Sequence, residues 1–300
     1  MSYGSAPEGA SSLQVAVPNR QSVIHRHIRV VDTRKQLRAN ARSPVGRERN
    51  GRKAIKDYRE DPMHFVVLAA GNGSRLGLGM PKVLVELSDG VSLMKRHLRA
   101  FRAAAGDAPI TVVAGFRAEA VAAAATGCHI VLNTDFPATN TARSLAIALA
   151  DIDDDVVMIN GDVFCHADAV RRTMEAPGTS IGVRYGPTGE EEVKFASHGG
   201  RVTALSKSVL AAEGEAVGLN RLGRDELTML KGALERCRPT DYFERAIEAI
   251  CTTVMVGVTD LTHFDCVEID FPEDLARANA IIDAVRAKAD VAPLAREMQS

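Results

Sequence analysis

Tryptophan is absent from the 300 residues, and four tyrosines with nine phenylalanines bring aromatic content to only 4%. Surfaces that stack nucleic-acid bases, or cages that hold a quaternary ammonium, are therefore scarce. Five cysteines (Cys128, Cys165, Cys237, Cys251 and Cys266) are odd in number, scattered, and form no Cys-x-x-Cys pair. That pattern argues for reduced thiols and against a disulfide framework or a zinc site. No apolar run approaches the ~18 residues of a membrane span, and the N-terminus has no hydrophobic region of the signal-peptide kind. The expectation is a cytoplasmic protein with no membrane partner. Net charge is −1, yet residues 1–62 hold 13 Lys/Arg against 6 Asp/Glu while residues 63–300 hold 24 against 32. A basic segment thus precedes an acidic domain. Residues 1–62 contain too little apolar surface for a core and read as a disordered extension. With acidic residues interrupting its charge and few aromatics, no nucleic acid is expected to bind it. The domain itself is expected over 63–292, with 293–300 as a flexible C-terminus.

What the chain does have, with 46% hydrophobic and 25% charged content, is enough material for one sizeable α/β core. Its organising stretch is Phe65-Val66-Val67-Leu68-Ala69-Ala70-Gly71-Asn72-Gly73-Ser74-Arg75-Leu76-Gly77, followed by Pro81-Lys82. The run from Phe65 to Ala70 has the length and β-branched content of a buried parallel strand. Gly71 and Gly73 then permit positive φ and bring backbone N–H groups close to a polyphosphate, Ser74 can cap, and Arg75 and Lys82 add fixed positive charge. A tight strand-to-helix turn would explain the glycines alone, but not the arginine and the Pro-Lys. The loop lacks the Gly-Lys-Ser/Thr of a P-loop and the third glycine of a dinucleotide-binding turn.

Downstream the pattern alternates: strands at 64–70, 110–114, 129–132 and 156–160, helices at 92–105, 117–126, 141–151 and 166–175. This predicts an α/β doubly wound, mostly parallel sheet with ligands at the C-terminal strand ends. Strands at 179–185, 191–196 and 201–206, the last two joined by Gly199-Gly200, predict a small β-rich extension covering the substrate. Helices at 225–237 and 241–251, a strand at 264–270, and a final helix from Pro272 to about Lys288 complete the pattern. Val156 to Ile159 is an apolar run leading into Asn160-Gly161-Asp162, and the strand Phe264 to Asp270 carries Glu268 and Asp270 on one face by period-two alternation. Each could be a capping or strand-end carboxylate; together the two strand ends could converge on one Mg²⁺.

These segments resemble the nucleotidyltransferases that join an NTP to a phosphorylated small molecule. The signature is Leu-Ala-Ala-Gly-x-Gly-x-Arg-Leu-Gly with a following Pro-Lys, a Gly-Asp metal motif at Gly161-Asp162, and Glu268-Ile269-Asp270 ahead of Glu273-Asp274-Leu275. More narrowly, Asn140 to Leu145, Glu192-Val193-Lys194, Ser206-Lys207 and Gly214-Glu215-Ala216-Val217-Gly218 are similar to segments of phosphocholine-type cytidylyltransferases. The likeness covers about residues 64–285; the doubled asparagine common in the family is Asn140-Thr141 here. It implies a Rossmann-like nucleotidyltransferase fold and a triphosphate held by Leu68, Ala69, Ala70, Gly71, Asn72, Gly73 and Ser74 with Asn140 and Ser144. Arg75 and Lys82 would be catalytic, and Mg²⁺ would sit on Asp162, Asp270 and Glu268. Lys194, Lys207, Glu215 and Tyr185 are the acceptor candidates. CTP is the favoured nucleotide, the partner is a small phosphate or phosphonate, and a homodimer is allowed. With few aromatics to form a cage, choline phosphate is not the default acceptor. A sugar-1-phosphate nucleotidylyltransferase using another NTP, a metal-dependent glycosyltransferase and a nucleotide-binding regulatory module remain alternatives.

Overall fold

The computed structural model describes residues 28–29 and 63–297. The short β1 (Ile28–Arg29) precedes β2 (Met63–Ala69), after which come α1 (Leu93–Ala105), β3 (Ile110–Ala114), α2 (Ala118–Ala124), β4 (His129–Leu132) and α3 (Thr141–Leu149). Then follow β5 (Asp155–Asn160), β6 (Val163–Cys165), α4 (Ala167–Met174), β7 (Thr179–Tyr185), β8 (Lys194–His198), β9 (Arg201–Ser206) and β10 (Gly214–Leu222). The chain continues through α5 (Arg224–Glu235), α6 (Glu244–Ile250), β11 (Val256–Asp260), β12 (Cys266–Glu268) and α7 (Pro272–Glu297).

The central strand β2 is buried on both faces, which is what its unbroken apolar run demands. Phe65, Val67 and Ala69 point into one core with α1, α2 and α4, while Val66 and Leu68 point into the other with α3, α5 and α6. Helix α1 begins where the Ser92 side chain accepts from Lys95 N–H and ends at Gly106, whose φ of 52° suits a C-terminal glycine. Its buried face is Leu93, Met94, His97, Ala100 and Phe101.

Ten strands form one sheet in the order β1-β4-β3-β2-β5-β10-β7-β11-β9-β8. The half from β1 to β5 is parallel, as the alternation predicts. The other half is mixed: β10 runs antiparallel to both β5 and β7, β11 is parallel to β7, and β8 with β9 is an antiparallel hairpin. Strands β1, β6, β10 and β11 were not legible in the sequence, and β1 lies in the segment read as a disordered extension. Strand β10 carries glycines and a polar Asn220-Arg221 pair that break period-two alternation, and pairing on both sides makes it a strand in spite of them. The strand expected at 264–270 shrinks to Cys266–Glu268 and pairs with β6 as a separate two-stranded sheet.

A third apolar cluster, including Leu76, Val85, Phe164, Val267, Ile269 and Ile282, ties the glycine loop, β6, β12 and α7 together beneath the site. Asp274 receives the N–H groups of Asp270 and Phe271 at 3.1 and 2.9 Å, capping the start of α7. That helix runs to Glu297 rather than Lys288, so the boundary placed at 292 falls inside it. Of the N-terminal segment, Ile28 and Arg29 pair in parallel with Ile130 and Val131 on the sheet edge. The disordered character expected of the rest of that segment lies outside the described residues. Among the described residues no helix is long and apolar enough to cross a membrane.

Candidate active site

The site forms where β2 and β5, side by side with Leu68 opposite Asn160, reach their C-terminal ends. Beyond β2 the chain opens into the glycine loop. Gly73 has φ of +62°, and a Cβ there would lie 2.9 Å from Lys82 Cγ and 3.1 Å from Met80 O, so only glycine lets Lys82 lie against the loop. Gly71 adopts no left-handed conformation and has open space around it, which leaves room for a ligand's approach. Ser74 is described by its backbone, at the start of a 3-10 turn Ser74–Leu76. Beyond β5, Gly161 N–H donates to Leu68 O at 2.9 Å, and a Cβ on Gly161 would meet that oxygen at 2.8 Å. The Gly-Asp pair therefore has a packing reason: glycine lets the β5 end cross against β2, which presents Asp162 to the cleft.

Convergence of the carboxylates follows from one more contact. Ile269 N–H donates to Asp162 O at 2.9 Å, which pins the end of β12 to the end of β5. Oxygens of Asp162, Glu268 and Asp270 all come within 4.8 Å of one another. Lys82 Nζ lies among them, 3.0 Å from Asp162 Oδ2 and in contact with Asp270 Oδ1, and Arg75 Nη1 reaches Asp270 Oδ2 at 2.7 Å. Burial alone would lower the Lys82 ammonium; the attraction of Asp162 and Asp270 outweighs it and holds the group above its ordinary value. Glu268 keeps a path to solvent at the cleft mouth, yet the surrounding walls desolvate its carboxyl. That desolvation, followed by repulsion from Asp162 and Asp270, pushes it well upward, with Lys82 opposing. Three oxygen donors crowded to the point of raising a carboxyl fit a hard divalent cation such as Mg²⁺, whose charge would relieve the repulsion.

These groups face a cleft of about 330 Å³. Leu68, Ala69, Gly71, Asn72, Gly73 and Asn140 line it from the β2 side, together with Arg75 and Lys82. The opposite wall comes from the expected β-rich extension and the turn before α6, through Glu191, Val193, Lys207, Ala216, Tyr242 and Glu244. Asn140 also caps α3, its Oδ1 accepting from Thr141 N–H at 2.8 Å.

Five expected residues are placed elsewhere. Ala70 is buried below the loop, its carbonyl taken by Phe116 N–H. Ser144 is buried in α3 and accepts from Asn133 Nδ2 at 3.1 Å, because the helix turns it toward the β4 connection. Glu215 is paired with Arg184 at 2.6 Å, since β10 and β7 align them cross-strand. Lys194 donates to Lys207 O at 3.0 Å and so braces the hairpin end. Tyr185 is the last residue of β7, an interior strand, and its ring packs edge-on to Phe195. Glu244 and Glu191 were missed; a glutamate opening a helix and an acidic loop residue are too common to signal a site alone.

Fold and site together define a nucleotidyltransferase, and comparison with known proteins agrees. The MobA-like NTP transferase domain pattern matches residues 65–232, and the chain belongs to that family. It is 30% identical over 244 residues to a "Bifunctional IPC transferase and DIPP synthase" of Rubrobacter xylanophilus, covering 77% of this chain and 55% of that protein. It is 35% identical over 128 residues to a "CMP-5'-(3-aminopropyl)phosphonate synthase" of Streptomyces rubellomurinus, covering 40% of this chain and 20% of that one. The chain thus spans about half of the first relative and a fifth of the second. In fold it resembles the inositol-1-phosphate CTP transferase of T. maritima (TM-score 0.61, 17% identity, 70% of this chain and 90% of that one). It also resembles the CTP:phosphocholine cytidylyltransferase of Streptococcus pneumoniae (TM-score 0.62, 15% identity, 74% and 99%).

Proposed function

We propose that the domain is a Mg²⁺-dependent cytidylyltransferase, which transfers CMP from CTP to a phosphate or phosphonate oxygen of a small acceptor. The acceptor oxygen bonds to the α-phosphorus of CTP in line with the departing bridge oxygen, whose bond breaks as pyrophosphate leaves. The observation that carries this reading is the Lys82 ammonium held between Asp162 and Asp270 beside the glycine loop. In that position a lysine can meet an α-phosphate and stabilise the charge that develops on it. Main-chain N–H groups of Gly71 to Ser74 and the Arg75 guanidinium face the outer phosphates, with Leu68, Ala69 and Asn140 walling the nucleotide. Asp162 and Asp270, with Glu268, would hold the Mg²⁺, which when bound screens the triphosphate's charge. Lys82, now held by Asp162 and Asp270, would turn to the phosphate oxygens of the bound nucleotide. The wall formed by Val193, Lys207, Ala216 and Tyr242 is left for the acceptor. CTP is favoured because the names of the phosphonate relative and of both structural neighbours speak of CMP or CTP.

The test is pyrophosphate release from each of the four NTPs against a panel of phosphonates, inositol phosphate, choline phosphate and sugar 1-phosphates. Release from CTP with a small non-choline acceptor is expected. Release from another NTP with a sugar 1-phosphate would favour the sugar-nucleotide alternative, and no release from any pair would reject the reading.

A further inference from the structure

On the acceptor side of the cleft one carboxylate has no assigned partner. Glu244, the first residue of α6, lines the cleft with only 7% of its surface exposed. Its Oε2 finds no hydrogen-bond partner among the described residues. Burial pushes its carboxyl up to about 7, eased in part by its own backbone N–H and by Lys207. Buried polar atoms are nearly always paired, so an orphan facing a cavity points to a donor that arrives from outside. The surroundings narrow the donor. Lys207 Nζ stands 5.3 Å from the Tyr242 ring centroid and 3.2 Å from Glu191 Oε2. Two carboxylates and a ring face therefore meet one lysine, and the corner has room for one more positive charge. A hydroxyl would occupy Oε2 and leave that charge uncompensated. A quaternary ammonium has no N–H to donate, and Tyr242 is the one aromatic side chain lining the cleft among the described residues. Glu244 and Glu268 line the same cleft of about 330 Å³, which suits an acceptor with a short linker.

We propose that Glu244, with Tyr242 and Glu191, forms the subsite for a primary or secondary ammonium on the acceptor, so that the acceptor is a short aminoalkyl phosphate or phosphonate. One N–H of that ammonium donates to Glu244 Oε2, and the phosphorus end lies toward Lys82. This rests on the cytidylyltransferase reading and specifies its acceptor.

The experiment measures pyrophosphate release from CTP with four acceptors: 2-aminoethylphosphonate, 2-hydroxyethylphosphonate, choline phosphate and inositol 1-phosphate. Losing a charged hydrogen bond from a buried carboxylate is expected to lower kcat/KM about 100-fold for the hydroxyl analogue relative to the amine. Glu244→Gln should raise KM for the amine about 100-fold, move KM for CTP less than about twofold, and erase the preference over the hydroxyl. Glu244→Asp, which keeps the charge one methylene further back, should fall between the two. Equal use of amine and hydroxyl, an unchanged amine KM in both variants, or a preference for choline phosphate or inositol phosphate would overturn the subsite while leaving the transferase reading intact. Absence of pyrophosphate with every acceptor would reject both.

Discussion

The stability of a Glu244→Gln variant relative to the parent should rise steadily from pH 5 to pH 8. Burial raises this carboxyl from 4.5 to about 7 in the folded protein. A folded pKa above the unfolded one means that, between those values, the unfolded chain has already lost the proton that the folded chain keeps. Stability then falls as pH rises through that window and is lowest above the folded value. At 1.36 kcal/mol per pH unit the full penalty is about 3 kcal/mol, of which roughly 2–3 kcal/mol develops between pH 5 and pH 8. Glutamine has the same shape and does not titrate, so its difference from the parent should grow by that amount across the range. For a domain of this size the growth corresponds to about 5–10 °C in Tm. Thermal or urea unfolding of parent and variant at half-unit steps from pH 5 to 8 measures it. A constant offset between them is expected from the amide's own buried atoms, so the slope is what decides. Parallel curves would show that Glu244 titrates as an ordinary surface carboxylate, and the orphan would lose its meaning.

Lys82→Ala should lower kcat by about 10²–10³, the cost of one well-placed charge on the transition state, while circular dichroism stays native; a loss below tenfold in steady-state kinetics would remove Lys82 from the chemistry. Asp162→Asn should weaken Mg²⁺ dependence, raising the Mg²⁺ concentration for half-maximal rate by at least about tenfold; an unchanged titration would vacate the metal assignment. Gly73→Ala forces a left-handed residue against the Lys82 side chain and should cost about 1–2 kcal/mol in unfolding with a larger loss in kcat; wild-type turnover would show that the loop does not hold Lys82. Among the described residues, a chain starting at Met63 loses the two-residue β1 pairing on the sheet edge, worth about 1–2 kcal/mol, and it should retain turnover; a change of oligomer size or lost activity would show that residues 1–62 belong to the working protein.

The parallel strands β2 to β5 were legible because they are largely buried on both faces and their helices on one, so hydrophobic period alone reports them. The glycine loop and Lys82 were legible for a related reason: binding a polyphosphate calls for glycine, arginine and lysine at short spacing in one segment. The pairing of Asp162 with Glu268 and Asp270 could only be inferred as two strand ends, because the bond that joins them, Ile269 N–H to Asp162 O, spans more than a hundred residues of chain. Tertiary structure alone decided that β10 is a strand, since its glycines and polar residues depress local propensity and two neighbouring strands supply the pairing. It also decided which polar residues reach the cleft. Ser144, Lys194 and Glu215 carry the right chemistry but spend it on Asn133, Lys207 O and Arg184. Glu244 carries no motif, and its burial comes from the packing of α6 against β9 and the cleft wall. Whether a carboxylate is solvated, paired or orphaned depends on atoms far away in sequence, which is why that property appears only once the chain is folded.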